Sequence, residues 1–194
     1  MKPRIAVIGK GKVGGALGRG IERAGYPVRL VGNEPPRVRE TAVWGEVIVL
    51  AVPYPAVEQA LSEMGDAVNG KTLVDVSNAL TADFRLAVGF TTSAAEELQK
   101  KAAGAKVVKA FNTVFAQHMD SGTVNGTSLT LFVAGDDAVA KAQVLSLGQD
   151  LGFDPVDAGP LTNARSLEAL GYFNIQLGYM LNMGPGIGFK LIHR

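Results

Sequence analysis

Three glycines near the start of the chain, Gly9, Gly11 and Gly14, stand at the spacing G-x-G-x-x-G directly after the apolar run Ile5 to Ile8. Each has a task in a strand that turns into a helix: Gly9 allows the tight turn, Gly11 lets backbone approach a pyrophosphate, and Gly14 permits close packing of helix on strand. The helix that follows offers unpaired N–H groups and the positive end of its dipole to phosphates. Lys10, Lys12 and Val13 complete this loop, with the lysines placed where they could help neutralise a pyrophosphate. A chain with 24 glycines holds such triplets by chance, so the context matters. Val13, Ala16, Leu17 and Ile21 recur at helical spacing, and Gly25 ends the helix.

A second group would choose the dinucleotide. Glu34 stands about twenty positions past Gly14, where an acid accepts hydrogen bonds from the adenosine ribose 2′-hydroxyl and favours NAD. A 2′-phosphate would be repelled there and would need a cation or a neutral donor such as Asn33. Arg37 or Arg39 could serve if Glu34 swings out. The plainer reading makes Glu34, Arg37 and Arg39 a solvated cluster on a short helix.

Reacting groups belong past the carboxyl ends of the strands, where ligands bind in open parallel sheets. Those ends read Ala51-Val52-Pro53-Tyr54-Pro55, Val76-Ser77-Asn78-Ala79 and Phe111-Asn112-Thr113-Val114-Phe115-Ala116. Ser77, Asn78, Asn112 and Thr113 supply neutral donors and acceptors, and Pro53 and Pro55 shape a rigid turn. No histidine, aspartate or lysine suited to acid–base work is expected among them. His118 follows the last of these segments and His193 is the penultimate residue; both read as structural or solvated. Hydride exchange between a nicotinamide and a flavin-like ring needs mainly two stacked rings, and a neutral pocket suits it.

The elements that must position these residues alternate. Strands are predicted at Arg4–Ile8, Val28–Val31, Val47–Val52, Thr72–Val76, Lys106–Phe111, Ser128–Ala134 and Asp154–Val156. Helices are predicted at Val13–Ala24, Arg37–Trp44, Pro55–Met64, Ser93–Ala103, Asp137–Leu151 and from about Asn163 to Leu181. The pattern implies an α/β fold of Rossmann type, doubly wound on a mainly parallel sheet. Between Val31 and Glu46 there is no room for a further helix and strand, since a crossover alone takes at least about ten residues. The sheet should therefore lack one strand of its first half, begin 2-1-4-5 and carry strand 2 near an edge. Residues 1–160 form the dinucleotide-binding part, and 161–194 add a small helical piece packed on it as a single structural unit.

The chain of 194 residues carries a formal charge of +1, with basic residues scattered, so nothing favours nucleic acid or acidic membranes. It has no cysteine, which removes disulfides, thiolate metal sites and cysteine nucleophiles; no metal site is expected. No segment reaches the roughly 18 apolar residues of a membrane span, and no leader pattern opens the chain, so a cytoplasmic protein is expected.

Three longer runs carry a resemblance: Val107-Val108-Lys109-Ala110-Phe111-Asn112-Thr113, Phe132-Val133-Ala134-Gly135-Asp136-Asp137, and Leu151 to Leu161 followed by Asn163, Arg165 and Glu168. Through them the chain resembles, over nearly its whole length, the NADPH-dependent reductases of coenzyme F-420, a 5-deazaflavin, and their bacterial relatives. The resemblance implies a Rossmann domain, hydride exchange between NADP and a deazaflavin, and a homodimer. By position it assigns the pyrophosphate to Lys10, Gly11, Lys12 and Val13, and the nicotinamide side to Val52, Pro53, Ser77, Asn78 and Ala116. Deazaflavin contacts fall on Asn112, Val114 and Met183–Gly188. The chain departs from the family pattern twice. Asn33 and Glu34 replace the serine or threonine and arginine that hold a 2′-phosphate, and Asn112 replaces a histidine of the archaeal enzymes.

Leu167, Leu170, Tyr172, Phe173, Ile175, Leu177, Tyr179 and Met180 cover most of the last helix, a wider apolar face than a one-sided helix needs. Part of it is expected to meet a second subunit. Met183–Gly188 is then either a flexible terminus or a loop closing over the acceptor ring. The expected function is hydride transfer between NADP(H), or NAD(H) if Glu34 selects it, and F-420, FMN or FAD, without an acid–base pair. The alternatives are a flavin-linked ferric reductase module and a non-catalytic dinucleotide sensor.

Overall fold

Side chains alternate along a strand, so Ile5 and Val7 face one side of a sheet while Ala6 and Ile8 face the other. In the computed structural model, which describes residues 1–81, 83 and 85–192, both sides are covered. The strands are β1 (Ile5–Ile8), β2 (Val28–Val31), β3 (Val47–Leu50), β4 (Thr72–Asp75), β5 (Lys106–Lys109), β6 (Thr123–Val124), β7 (Thr127–Ser128), β8 (Thr130–Gly135) and β9 (Asp154–Asp157). The α-helices are α1 (Lys12–Arg23), α2 (Pro35–Trp44), α3 (Val57–Met64), α4 (Ala94–Lys101), α5 (Ala138–Asp150) and α6 (Ala164–Ile175). β1, β3 and β4 are buried at every position, as strands covered on both faces must be.

The main sheet runs β2-β1-β3-β4-β5-β8-β9. β1 pairs in parallel with β2 on one side and β3 on the other, Ile5 opposite both Val28 and Val47. This is the Rossmann arrangement with one strand of the first half absent and β2 at the edge, as the short interval before Glu46 predicts. β8 and β9 run opposite to the other five strands, β8 antiparallel to β5 and β9 parallel to β8. On one face Ile5, Val7, Val49 and Val74 pack with Leu17 and Ile21 of α1 and Val144 and Leu147 of α5. On the other, Ala6, Ile8, Ile48 and Leu73 pack with Val38 of α2, Met64 of α3 and Leu98 of α4. At the margins Arg29 of β2 lies over the Trp44 ring at 4.5 Å, and β9 carries Pro155.

Three elements differ from the sequence reading. The stretch from Asn163 to Leu181 is not one α-helix: a 3-10 turn (Leu161–Asn163) precedes α6 and a π-helix (Gln176–Met180) follows it. The widened turn sets Gly178 against Phe115, where a Cβ would come within 2.7 Å of the ring. The segment before Thr130 is a hairpin, β6–β7, turning at Asn125 and Gly126 with φ of 49° and 78°, the left-handed pair that Asn-Gly favours. A 3-10 turn (Tyr54–Ala56) precedes α3, with Pro55 inside it, where a proline N costs no helix hydrogen bond. His193 lies outside the described residues. Among the described residues no helix is long and apolar enough to cross a membrane.

Candidate functional site

Gly9 turns the chain out of β1 with φ at 118°, and a Cβ there would collide with the Ala51 carbonyl. A Cβ on Gly14 would collide with the Gly9 carbonyl. Gly11 is different. It is the N-cap of α1 at φ −68°, and a Cβ there would meet nothing within 4 Å. The fold therefore does not require glycine at position 11; the space beside it is open. A pyrophosphate approaching the first turn of α1 would use that space.

Two clefts meet at this loop, sharing Gly11, Ala51, Val52 and Pro53. The first, about 250 Å³, is bordered by Gly9, Lys10, Gly32, Asn33, Val38 and Ala60. Glu34 does not line it. Its carboxylate accepts from Lys10 at 3.1 Å and Arg37 at 2.6 Å. Lys10 first, and Arg37 with it, holds that carboxyl below the usual carboxylate range. Asn33 thus faces the cleft, while Glu34 and Arg37 form a surface cluster with Lys10.

The second cleft, about 300 Å³, is bordered by Lys12, Val52, Pro53, Ser77, Asn78 and Asn112, with Val13, Tyr54, Val114 and Met119 behind them. The Tyr54 hydroxyl donates to Glu97 at 3.0 Å, and burial with that carboxylate pushes its pKa up to about 12. It stays protonated at neutral pH. Asn78 and Asn112 are joined twice: Asn78 Nδ2 donates to the Asn112 carbonyl at 2.8 Å, and Asn112 Nδ2 donates to Asn78 Oδ1 at 3.0 Å. Asn112 Nδ2 also donates to the Leu167 carbonyl at 2.8 Å. Two acceptors around Nδ2 fix which way the amide points. Asn112 Oδ1 is then left buried and, among the described residues, without a hydrogen-bond partner. Asn112 thus borders the cleft with its amide held by protein partners and its Oδ1 enclosed.

The backbone is bent to deliver this residue. Phe111, just past β5, takes the left-handed conformation at φ 66°, which costs about 1–2 kcal/mol in a non-glycine residue. Its ring is buried against Phe153, centroids 5.8 Å apart, and that packing holds the turn.

The buried stripe of α6 is mixed, Ala164 and Leu167 apolar and Glu168, Gly171 and Asn174 polar or small. Gly171 lies on the asparagine pair; a Cβ there would come within 2.5 Å of Asn78 Oδ1 and 2.7 Å of Asn112 Nδ2. Asn174 donates to the Thr113 carbonyl at 3.1 Å. Glu168 reaches Lys109, which Asp75 also holds. Asp75 and Lys109 are the last residues of β4 and β5, so charged groups do stand at those strand ends, fully buried and paired with each other. Sequence inspection missed them because each closes a strand that otherwise reads as apolar.

Ala116 lies elsewhere, in an open hollow beside the glycine loop with Lys12, Gly15, Arg19 and Gln117. Met183–Gly188 borders neither cleft. It is tied down instead: Gly184 N donates to the Gly178 carbonyl at 2.9 Å, and His118 Nε2 lies 3.0 Å from the Pro185 carbonyl. His118 is half-buried and engaged.

No family model matches the chain. Among solved structures, a protein from Arthrobacter sp. FB24, provisionally described as an F420-dependent NADP reductase, is 30% identical, with a TM-score of 0.90 over 98% of this chain and 100% of that one. The chain belongs to the F420-dependent NADP reductase family. The F420-dependent NADP reductase of Methanocaldococcus jannaschii is 26% identical over 156 residues, 77% of this chain and 68% of that protein. Metalloreductase STEAP3 of Rattus norvegicus is 29% identical over 180 residues, 87% of this chain but 36% of that protein. The chain thus spans about a third of the length of the metalloreductases it matches. An imine reductase from Myxococcus stipitatus, 20% identical at a TM-score of 0.68, shares the fold of this family.

Proposed function

We propose that the chain binds NADP across the two joined clefts and exchanges hydride with a flavin-like ring, F-420 or a flavin such as FMN or FAD. The observation that carries this is a neutral cleft bordered by Ser77, Asn78 and Asn112 and continuous with the glycine loop, in a chain of this family. NADPH supplies the hydride, that is, two electrons and a proton; the acceptor ring gains it and takes its second proton from solvent, leaving NADP. The chain's own work is binding and alignment. Gly9, Gly11 and Gly14 with the first turn of α1 hold the pyrophosphate, aided by Lys10, Lys12 and Val13. Asn33, with Glu34 and Arg37 on the surface beside it, faces the adenosine end. Asn112 borders the nicotinamide end, and Asn78 holds Asn112 in place. Val52, Pro53, Ser77 and Val114 wall the ring, and Ala116 lies beside the phosphates. Alignment is the larger part of such catalysis, since no bond to the protein forms.

Phe173, Tyr179, Met180, Leu181 and Met183 are exposed together at the C-terminal end. We assign this patch to a second copy, making a homodimer; light scattering on the purified protein tests it. A ferric acceptor reached through a flavin is the second reading, favoured by the likeness to STEAP3 over most of this chain. Following nicotinamide absorbance with NADPH and F-420, FMN, FAD or a ferric chelate decides between them. Oxidation that depends on F-420 or a flavin alone supports the first reading, and oxidation that also requires iron the second. Tight binding with no turnover on any acceptor removes both and leaves a sensor.

A further inference from the structure

Three charges are buried behind the second cleft, and they do not cancel. Lys109, Asp75 and Glu168 are 0%, 2% and 1% exposed. Lys109 Nζ lies 2.8 Å from Asp75 Oδ2 and 3.0 Å from Glu168 Oε1, and donates to the Ser77 carbonyl at 2.6 Å. Asp75 Oδ1 accepts from both the Ser77 N–H and its hydroxyl, at 2.9 and 2.7 Å. The carboxylate of Glu168 accepts from the Ala94 and Ala95 amides at the start of α4. Burial would push the Lys109 ammonium down, but the two carboxylates outweigh it and raise it, so the lysine is a cation. The sum is one negative charge, in a place water does not reach. A lysine with a single carboxylate would be neutral, and apolar residues could often fill such a site with no loss of stability. The second carboxylate leaves the cluster with a charge that no cation within it balances.

The network touches the cleft through Ser77, which it grips at three atoms, and through α6, whose Gly171 rests on Asn78 and Asn112. Among the described residues, Lys12 borders the cleft, as does Tyr54, whose hydroxyl donates to Glu97. Lys12 is exposed, so solvent and salt weaken its field far more than that of a buried group. The amides of α4 offset part of the Glu168 charge without removing it.

We propose that this buried excess charge makes the cleft hold the oxidised, cationic nicotinamide more tightly than the neutral reduced ring, so that the protein drives the bound nucleotide toward giving up hydride. The inference rests on the hydride-transfer reading above and adds its direction. Charge acts here on the difference between two ligands of nearly the same shape. A role in holding the fold alone would weaken both together.

The test is to titrate the intact protein separately with NADP and NADPH and compare the two dissociation constants. In Glu168→Gln and in Asp75→Asn, which neutralise the excess, the ratio should move toward NADPH by about tenfold, the effect of one charge at close range in a partly screened interior. Glu168→Asp keeps the charge and should keep the ratio even where both affinities fall. Circular dichroism identifies any variant that has not folded, and the remaining neutralised variant then decides. A ratio within about twofold of the parent in a folded neutralised variant, with both nucleotides bound, overturns the proposal. If the parent binds neither nucleotide, the hydride-transfer reading falls as well.

Discussion

Asn78 and Asn112 hold each other by two hydrogen bonds, one through each side-chain amide, across the ends of neighbouring strands β4 and β5. Neither side chain can turn without breaking a bond of the pair, so the wall that Asn78 and Asn112 give the cleft is set before any ligand arrives. Asn112→Ala cuts into that wall and also strips Asn78 Oδ1 and the Leu167 carbonyl of a donor. A loss of about 1–3 kcal/mol in nucleotide binding is expected, roughly ten- to hundredfold in Kd by calorimetry. An unchanged Kd in a folded variant would remove Asn112 from the site.

Gly11 and Gly14 should separate binding from folding. Gly11→Ala puts a methyl into open space, so Tm should hold while NADP affinity drops about tenfold or more. Gly14→Ala drives a methyl into the Gly9 carbonyl and should lower Tm by several degrees. Equal losses of stability in both would mean that the glycine at 11 serves the fold.

Glu34 is held away from the first cleft by Lys10 and Arg37. Glu34→Arg releases Lys10 and adds a cation beside Asn33, so the preference for NADP over NAD should rise about tenfold. Comparison of the two Kd values before and after substitution measures it. A shift toward NAD would contradict this account of the adenosine end.

Gly171→Ala should reach the site from a distance. Its methyl would press on both asparagines, with an expected cost of about 1–3 kcal/mol in stability and a parallel loss of nucleotide affinity. Chemical denaturation and calorimetry read the two effects. Full stability with full affinity would show that α6 moves aside freely.

Arg165 donates twice to Glu96, at 2.6 and 2.9 Å, and with Ser93 holds that carboxyl below the ordinary carboxylate range. A carboxylate whose folded pKa is lowered contributes stability above its unfolded pKa, and that contribution fades as pH falls toward the folded value. Arg165→Met should therefore cost stability at neutral pH and cost progressively less below about pH 4.3. Urea unfolding at a series of pH values checks it, and a difference that grows in acid would reverse the sign.

The sheet was largely legible from residue pattern. Continuous apolar strands such as Ile5–Ile8 and Val47–Leu50, and the short interval between Val31 and Glu46, predict the first half of the strand order with β2 at the edge, but not the reversed β8 and β9. What pattern could not reveal is how α6 meets the site. Its apolar residues are the conspicuous ones, yet the helix buries Glu168, Gly171 and Asn174, because the surface it meets is itself polar: Lys109, the Asn78–Asn112 pair and the Thr113 carbonyl. Periodicity sees apolar faces and is blind to a polar face matched by partners distant in sequence. The hairpin at Asn125-Gly126 was visible in principle, since that dipeptide is a turn signal. Residues 123 to 128 simply carry little apolar character around it.

The margins of the sheet have a consequence for how copies of this chain can meet. At one edge Arg29 lies over Trp44, and at the other Pro155 interrupts the row of donors that a neighbouring strand would need. Neither edge welcomes another chain's backbone. Crowded molecules are thus discouraged from joining sheet to sheet, the contact that would otherwise grow into a fibre.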